Sequence, residues 1–372
     1  GVRKEALRAL FGPDGCDFTI CRVPIGANDF ARRWYSFDET PDDFAMDHFS
    51  IDNDRQTLIP YIKSAMDDQP GLAIWGVPWS PPSWMKTNNS YKVGRMKQDP
   101  KYLSAYAIYF SKYVTAYRAA GIPLYAIHPQ NEPCTDAGNY PICVWNGDEL
   151  KNFTANYLAP RLKQDGVKVQ IWFGTINNSH LEEFAGKILG DPATAPLISG
   201  VGYQYQGQDV FQATHDAFPN VKMMQTETEC FNGENSWTEA LKTFDHMCKD
   251  IGQFANGYDF WNMILDEKAT STWGWHQNSL LILDSKTQTI RYNPEFYSLR
   301  HFSAFVPPGS TRIAAAGGPL KDVVAFRTPS EDRVVLCENR GAKAVHVEIA
   351  DGGTSADVEL PAKSMNTFVF HH

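Results

Sequence analysis

Short apolar runs alternate with helical stretches along the first 305 residues, and this alternation restricts the chain to a parallel α/β sheet. The strand-like runs begin at residues 18, 72, 124, 167, 198, 221 and 257. Each is too short for a helix and mostly apolar, as expected of strands buried on both faces. Helical patterns cover 55–66, 100–120, 148–164, 180–189, 210–218 and 237–251, with one more at each end, VRKEALRALFG before Gly12-Pro13 and 294–305. At this length the pattern predicts a (β/α)8 barrel. Seven strands are legible and the leading helix calls for one before it. The barrel is therefore expected to lack its first strand, with the run at 124 as the fourth and the run at 221 as the seventh.

Polar and aromatic residues gather where these runs end, the rim on which barrel enzymes carry their sites. The run from Leu124 to Ile127 opens into HPQNEP, so Asn131 and Glu132 sit at its mouth and Pro133 ends it. The run from Val221 to Thr226 delivers Glu227 in the same way. Two carboxyls at two strand ends make a glycosidase pair: one donates a proton to the leaving oxygen, the other attacks the sugar. Asn131 is suited to a sugar 2-OH, and Arg22, at the end of the run from 18, to pairing with Glu227.

From about Ser310 the texture changes. VVAFRT, RVVLCEN, AVHVEIA, ADVELP and NTFVFHH are short strand-like segments separated by Gly, Pro, Asp and Lys, which reads as a β-sandwich or half of one. The division expected is a barrel over 1–305 and a β-rich side domain over 306–372.

A net charge of −9 disfavours nucleic acid and anionic membranes as partners, and no apolar run is long enough to span a bilayer. No HExxH, GxGxxG or phosphate-loop pattern occurs, so no metal and no cofactor are expected. The cysteines number seven, without a CxxC pair, which argues against a disulfide framework; Cys134 and Cys143 could be bridged across one loop. The abundant Trp and Tyr suit sugar rings, although PWSPPSWMKT, with Trp79 and Trp84, is read first as a rigid packed shelf.

The ordered blocks CRVPIGANDF, DETPDDF, PWSPPSWMKT, HPQNEP, MMQTETEC, DFWNM and FYSLRHFSAFVPPGS resemble glycoside hydrolase family 30, the group of glucosylceramidases and endo-β-1,6-glucanases. The resemblance covers nearly the whole chain. It implies a (β/α)8 barrel beside a β-sandwich and a retaining mechanism, with Glu132 as acid/base and Glu227 as nucleophile. Glu229 is a rival two residues on, but past the strand end. Arg22, Asp29, Trp79, Asn131 and Trp261 fall on positions that shape the family's sugar site.

Gln204-Tyr205-Gln206 stands where glucosylceramidase-like members have His-Trp-Tyr, and this leans towards the β-1,6-glucanase branch. On that reading Trp79, Trp261 and Tyr205 offer apolar faces to a pyranose, while Arg22, Asp29, Asn131 and Gln204 meet its hydroxyls. The expected substrate is a β-glucan or glucoside. The alternatives are a glucosylceramidase or other β-glucosidase or β-xylosidase of the same family, and a non-catalytic carbohydrate-binding barrel. The family's first barrel strand and the N-terminal strands of its sandwich are not found in this sequence. A homo-oligomer is one way to cover the edges left open. The setting expected is secreted or periplasmic and bacterial, though no signal peptide is visible.

Overall fold

The computed structural model describes residues 1–228, 233–316, 318, 320 and 322–371. The rival carboxylate Glu229, and Cys230, lie outside the described residues.

Seven strands form one parallel sheet: β1 (Ile20–Pro24), β2 (Ala73–Val77), β3 (Leu124–Ile127), β4 (Gln170–Ile176), β5 (Gly200–Gln204), β6 (Lys222–Thr228) and β7 (Tyr258–Phe260). They are hydrogen-bonded in chain order from β1 to β7. Chain-order pairing with helical crossovers curls the sheet into a barrel with the helices outside. The barrel is nearly closed. β1 and β7 approach one another without backbone pairing. The space between them opens into a cavity of about 410 Å³ lined by Phe18, Ile20, Cys21, Tyr258, Phe260 and Leu299, among others.

Side chains two residues apart on a strand share a face. Trp75 and Val77 of β2 thus point inward with Ala126, Trp172 and Met224, and fill the barrel. Ile74 faces the outer core, where the helices pack. The helix Pro100–Ala119 supplies much of that packing. Asp99 caps it by accepting from the Lys101 N–H at 3.0 Å, and Pro100 pre-sets its first turn. Its Tyr106, Tyr109, Tyr113 and Tyr117 are fully buried.

After the barrel, β11 (Thr311–Ile313), β12 (Val324–Arg327), β13 (Arg333–Asn339) and β16 (Ser364–Phe370) form an antiparallel sheet. β14 (Val345–Asp351) and β15 (Thr354–Leu360) form a separate hairpin. The four-stranded sheet rests on the helices Trp237–Gly252 and Pro294–Ser303. Trp237 Nε1 donates to the Lys363 carbonyl at 2.7 Å, the His301 imidazole meets the Thr367 hydroxyl at 2.8 Å, and Arg340 pairs with Asp245.

The sequence pattern did not foreshadow a small three-stranded sheet of β8 (Ile264–Asp266), β9 (Leu281–Asp284) and β10 (Thr289–Tyr292). Its strands are too short to show a period, and a polar, Trp-bearing excursion separates the first two. Cys134 and Cys143, allowed above to pair, are both free thiols. Among the described residues no helix is long and apolar enough to cross a membrane, and no cluster of His, Cys, Asp and Glu has the makings of a metal site.

Candidate active site

Parallel strands put all their C-terminal ends on one rim, and a cleft of about 730 Å³ opens there. Glu227, next to last on β6, and Glu132, in the loop after β3, both line it, with Asp29, Trp79, Tyr205 and Trp261.

Three side chains hold the Glu227 carboxylate. Oε2 accepts from Arg22 Nη1 at 2.5 Å and from Gln204 Nε2 at 3.3 Å, and Oε1 accepts from the Tyr205 hydroxyl at 2.5 Å. Both sides of the Arg22–Glu227 pair are more than nine-tenths buried. Arg22 reaches this point because it is the register partner of Trp75, so it faces into the barrel. Its guanidinium lies over the indoles of Trp79, Trp75 and Trp261 at 4.4, 5.3 and 5.7 Å. A planar, delocalised cation suits such a box, where an ammonium would lose more hydration. Its Nη2 donates to Asn131 Oδ1 at 2.5 Å. That oxygen also accepts from Thr175 Oγ1 at 3.0 Å and Gln204 Nε2 at 3.3 Å. Three donors on one atom fix the orientation of the amide and turn Nδ2 away from them.

Glu132 has a quite different setting. Its backbone takes a left-handed φ of 43°, and its N–H is anchored on the Thr175 carbonyl at 3.2 Å. Strain of this kind persists where surrounding bonds over-determine it. Among the described residues the one hydrogen-bond donor recorded on its carboxyl is the Tyr140 hydroxyl, at 3.4 Å from Oε2. Burial pushes the Glu132 pKa up to about 8, the charge of Glu227 adds to this, and Arg22 opposes both. Asp29, 5% exposed, is pushed up to about 7, chiefly by burial and then by Glu227, against a hydrogen bond from Trp261. The cleft thus holds a carboxylate braced by a guanidinium and, beside it, a carboxyl that keeps its proton at neutral pH.

Trp79 and Trp261 pack at 5.4 Å and are two of the three indoles of the Arg22 box as well as part of the cleft wall. Tyr205, expected to offer its ring to a sugar, also directs its hydroxyl at Glu227. Gln204 is fully buried beneath the cleft. Its amide bonds Asn131 and Glu227, and its oxygen accepts from Thr226 at 3.0 Å, so it braces Glu227 from below. Asn131 and Arg22 likewise lie under the wall.

Sequence reasoning passed over Tyr140, Trp273 and Trp275, which line the same cleft. The one available signal was Trp-Gly-Trp in the polar stretch after β8, since indoles two apart in a polar loop lack a core to fill.

Two carboxyls with opposed environments, Glu227 buried and Glu132 half-buried, thus face one cleft on the barrel rim. The pattern of the glycosyl hydrolase family 30 TIM-barrel domain matches residues 2–306, and that of the family 30 β-sandwich domain matches 309–368. The chain belongs to glycosyl hydrolase family 30 and is a glycosidase. It is 27% identical over 396 residues to the lysosomal acid glucosylceramidase of Mus musculus, covering 99% of this chain and 76% of that protein. It is 27% identical over 401 residues to an endo-1,6-β-D-glucanase of Aspergillus fumigatus, covering 99% and 80%. Its fold superposes on the crystal structure of SrfJ from Salmonella typhimurium with a TM-score of 0.93 at 23% identity, over 100% of this chain and 85% of that one.

Proposed function

We propose that the chain is a retaining β-glycosidase that cleaves β-glucosidic bonds by double displacement, in β-1,6-linked glucan or its oligosaccharides. The observation that carries this reading is the unequal pair: Glu227 bound by Arg22 and Tyr205, Glu132 raised to about 8 by burial and by Glu227.

In the first step a Glu227 oxygen attacks the anomeric carbon. The glycosidic C–O bond breaks, and Glu132 gives its proton to the departing oxygen. In the second step Glu132, now ionised, takes a proton from water. The resulting hydroxide attacks the anomeric carbon, the bond to Glu227 breaks, and both carboxyls return to their starting states. Arg22, Tyr205 and Gln204 orient the nucleophile, and Asn131, whose Oδ1 is held by Arg22, Thr175 and Gln204, keeps Nδ2 as the donor for the sugar 2-OH.

The substrate assignment rests on three supports. Trp79 and Trp261 offer apolar ring faces. Arg22, the cation at the base of the cleft, is taken up by Glu227 and Asn131, so the cleft favours a neutral sugar over an acidic one. Gln204-Tyr205-Gln206 leans to the glucanase side, the activity named for the Aspergillus relative.

A panel of β-1,6-, β-1,3- and β-1,4-glucans, xylan and glucosylceramide tests the substrate. Glu227→Gln abolishes turnover. Glu132→Gln spares the first step for substrates with good leaving groups but stalls the second, and azide rescues it as the β-glycosyl azide. An α-configured azide product would rule out retention.

A further inference from the structure

Beyond Glu132 the cleft continues along aromatic rings that the chemistry above does not use. The Tyr140 ring, whose hydroxyl approaches Glu132, stacks on Trp273 at 5.3 Å and 23°, and Trp273 meets Trp275 at 5.0 Å. The two tryptophans sit at the tip of a small turn between β8 and β9. An antiparallel bridge from Thr270 to His276 closes it, Gly274 takes a φ of 93° at the bend, and the Ser271 N–H donates to the Trp275 carbonyl at 2.9 Å. Thr272, just before Trp273, is clamped to the loop that carries Asp29: its N–H donates to the Asp29 carbonyl at 3.0 Å and its hydroxyl to the Ala31 carbonyl at 2.7 Å. The turn is therefore tied to the cleft at its tip as well as its base. The Trp273 Nε1–H is out of solvent and has no acceptor among the described residues.

Location gives this row its meaning. The proton donor of a retaining glycosidase lies on the leaving-group side of the bond it cleaves, and Tyr140 and Trp273 extend outward from Glu132 on that side. Trp79 and Trp261, assigned above to the glycone, lie instead against Arg22, which holds Glu227. We propose that Trp273, backed by Tyr140, is the platform for the sugar unit on the leaving-group side, stacking on the apolar face of a pyranose. This rests on the glucosidase reading above and deepens it. A pre-set indole face on that side favours a second sugar ring as leaving group, and so an oligosaccharide or polysaccharide substrate.

The test compares Trp273→Ala and Trp273→Phe with the parent enzyme on two substrates. One is β-glucosyl fluoride, whose leaving group is too small to reach the platform. The other is a β-1,6-linked gluco-oligosaccharide. Trp273→Ala lowers kcat/KM on the oligosaccharide roughly five- to tenfold, mainly through KM, as expected for loss of one aromatic contact. It leaves the fluoride within about twofold, because fluoride makes no contact there. Trp273→Phe restores most of the loss. Equal losses on both substrates would show a merely structural residue, and an unchanged oligosaccharide rate would remove the platform. A parent enzyme inert on glucosyl fluoride would remove the glucosidase reading itself, and the platform with it.

Discussion

The Tyr205 phenol donates to Glu227 Oε1 at 2.5 Å from a backbone held at a φ of 49°. Tyr205 follows directly on the last residue of β5, and the left-handed turn there lets the ring reach across to the end of β6. A hydrogen bond to a carboxylate contributes about 1.5–3 kcal/mol. Tyr205→Phe keeps the ring and removes the bond. It is expected to lower kcat for an aryl β-glucoside roughly 10- to 100-fold, and the melting temperature by at most a few degrees. Unchanged steady-state kinetics would show that the hydroxyl does not steady the nucleophile.

The pKa of Glu132, near 8, sets an alkaline limit. The acid must be protonated for the first step, so kcat/KM falls as pH rises through about 8. Since the Glu227 charge helps hold that pKa up, Glu227→Gln lowers it. Carbon-13 NMR of labelled glutamate carboxyls across a pH titration reads the shift directly. A Glu132 titration that did not move downward in the variant would contradict the coupling.

Buried acids also fix how stability depends on pH. Asp29, Asp250, Asp259 and Glu295 are each pushed up to about 7, and Glu132 to about 8, in every case chiefly by burial. Their unfolded values lie near ~4. The folded state therefore binds more protons than the unfolded state between those values. The stability this contributes is fully present below about pH 4 and is lost as pH rises towards 8. The melting temperature is expected to be higher at pH 5 than at pH 8. Calorimetry that found the reverse would mean depressed carboxylates elsewhere dominate.

Arg22 joins β1 to Glu227, Asn131 and the Trp box, so its loss acts on both stability and rate. Arg22→Ala strands a buried carboxylate and is expected to cost about 3–5 kcal/mol in denaturant unfolding. Arg22→Lys keeps the charge but cannot reach Glu227 and Asn131 with one planar fork. It should cost less stability than Arg22→Ala and lose at least tenfold in kcat/KM, about the worth of one charge-assisted bond. A lysine variant with full activity would show that charge alone suffices.

The barrel and the two glutamates were legible in the sequence because their signals are local. A short apolar run bounded by polar and turn residues reads as a buried strand, and Glu227 lies at the end of one while Glu132 follows in the loop after another. The change of texture near Ser310 was local too, since short strands between turn residues need no distant partner to be seen.

Distance in the chain hid the rest. Arg22 meets Asn131 and Glu227 across 109 and 205 residues. Barrel curvature and strand register bring them together, and neither leaves a mark on nearby residues. The same curvature put Gln204 beneath Glu227 instead of in the cleft wall, and sent the Tyr205 hydroxyl to the carboxylate. The Trp273 turn was least visible of all. Its strands β8 and β9 are too short for a period, and its place beside Glu132 depends on Thr272 gripping the Asp29 loop more than 240 residues away. Strand identity follows from a few neighbouring side chains, whereas the direction a side chain takes into a shared cleft follows from which strands lie next to it once the barrel has curled.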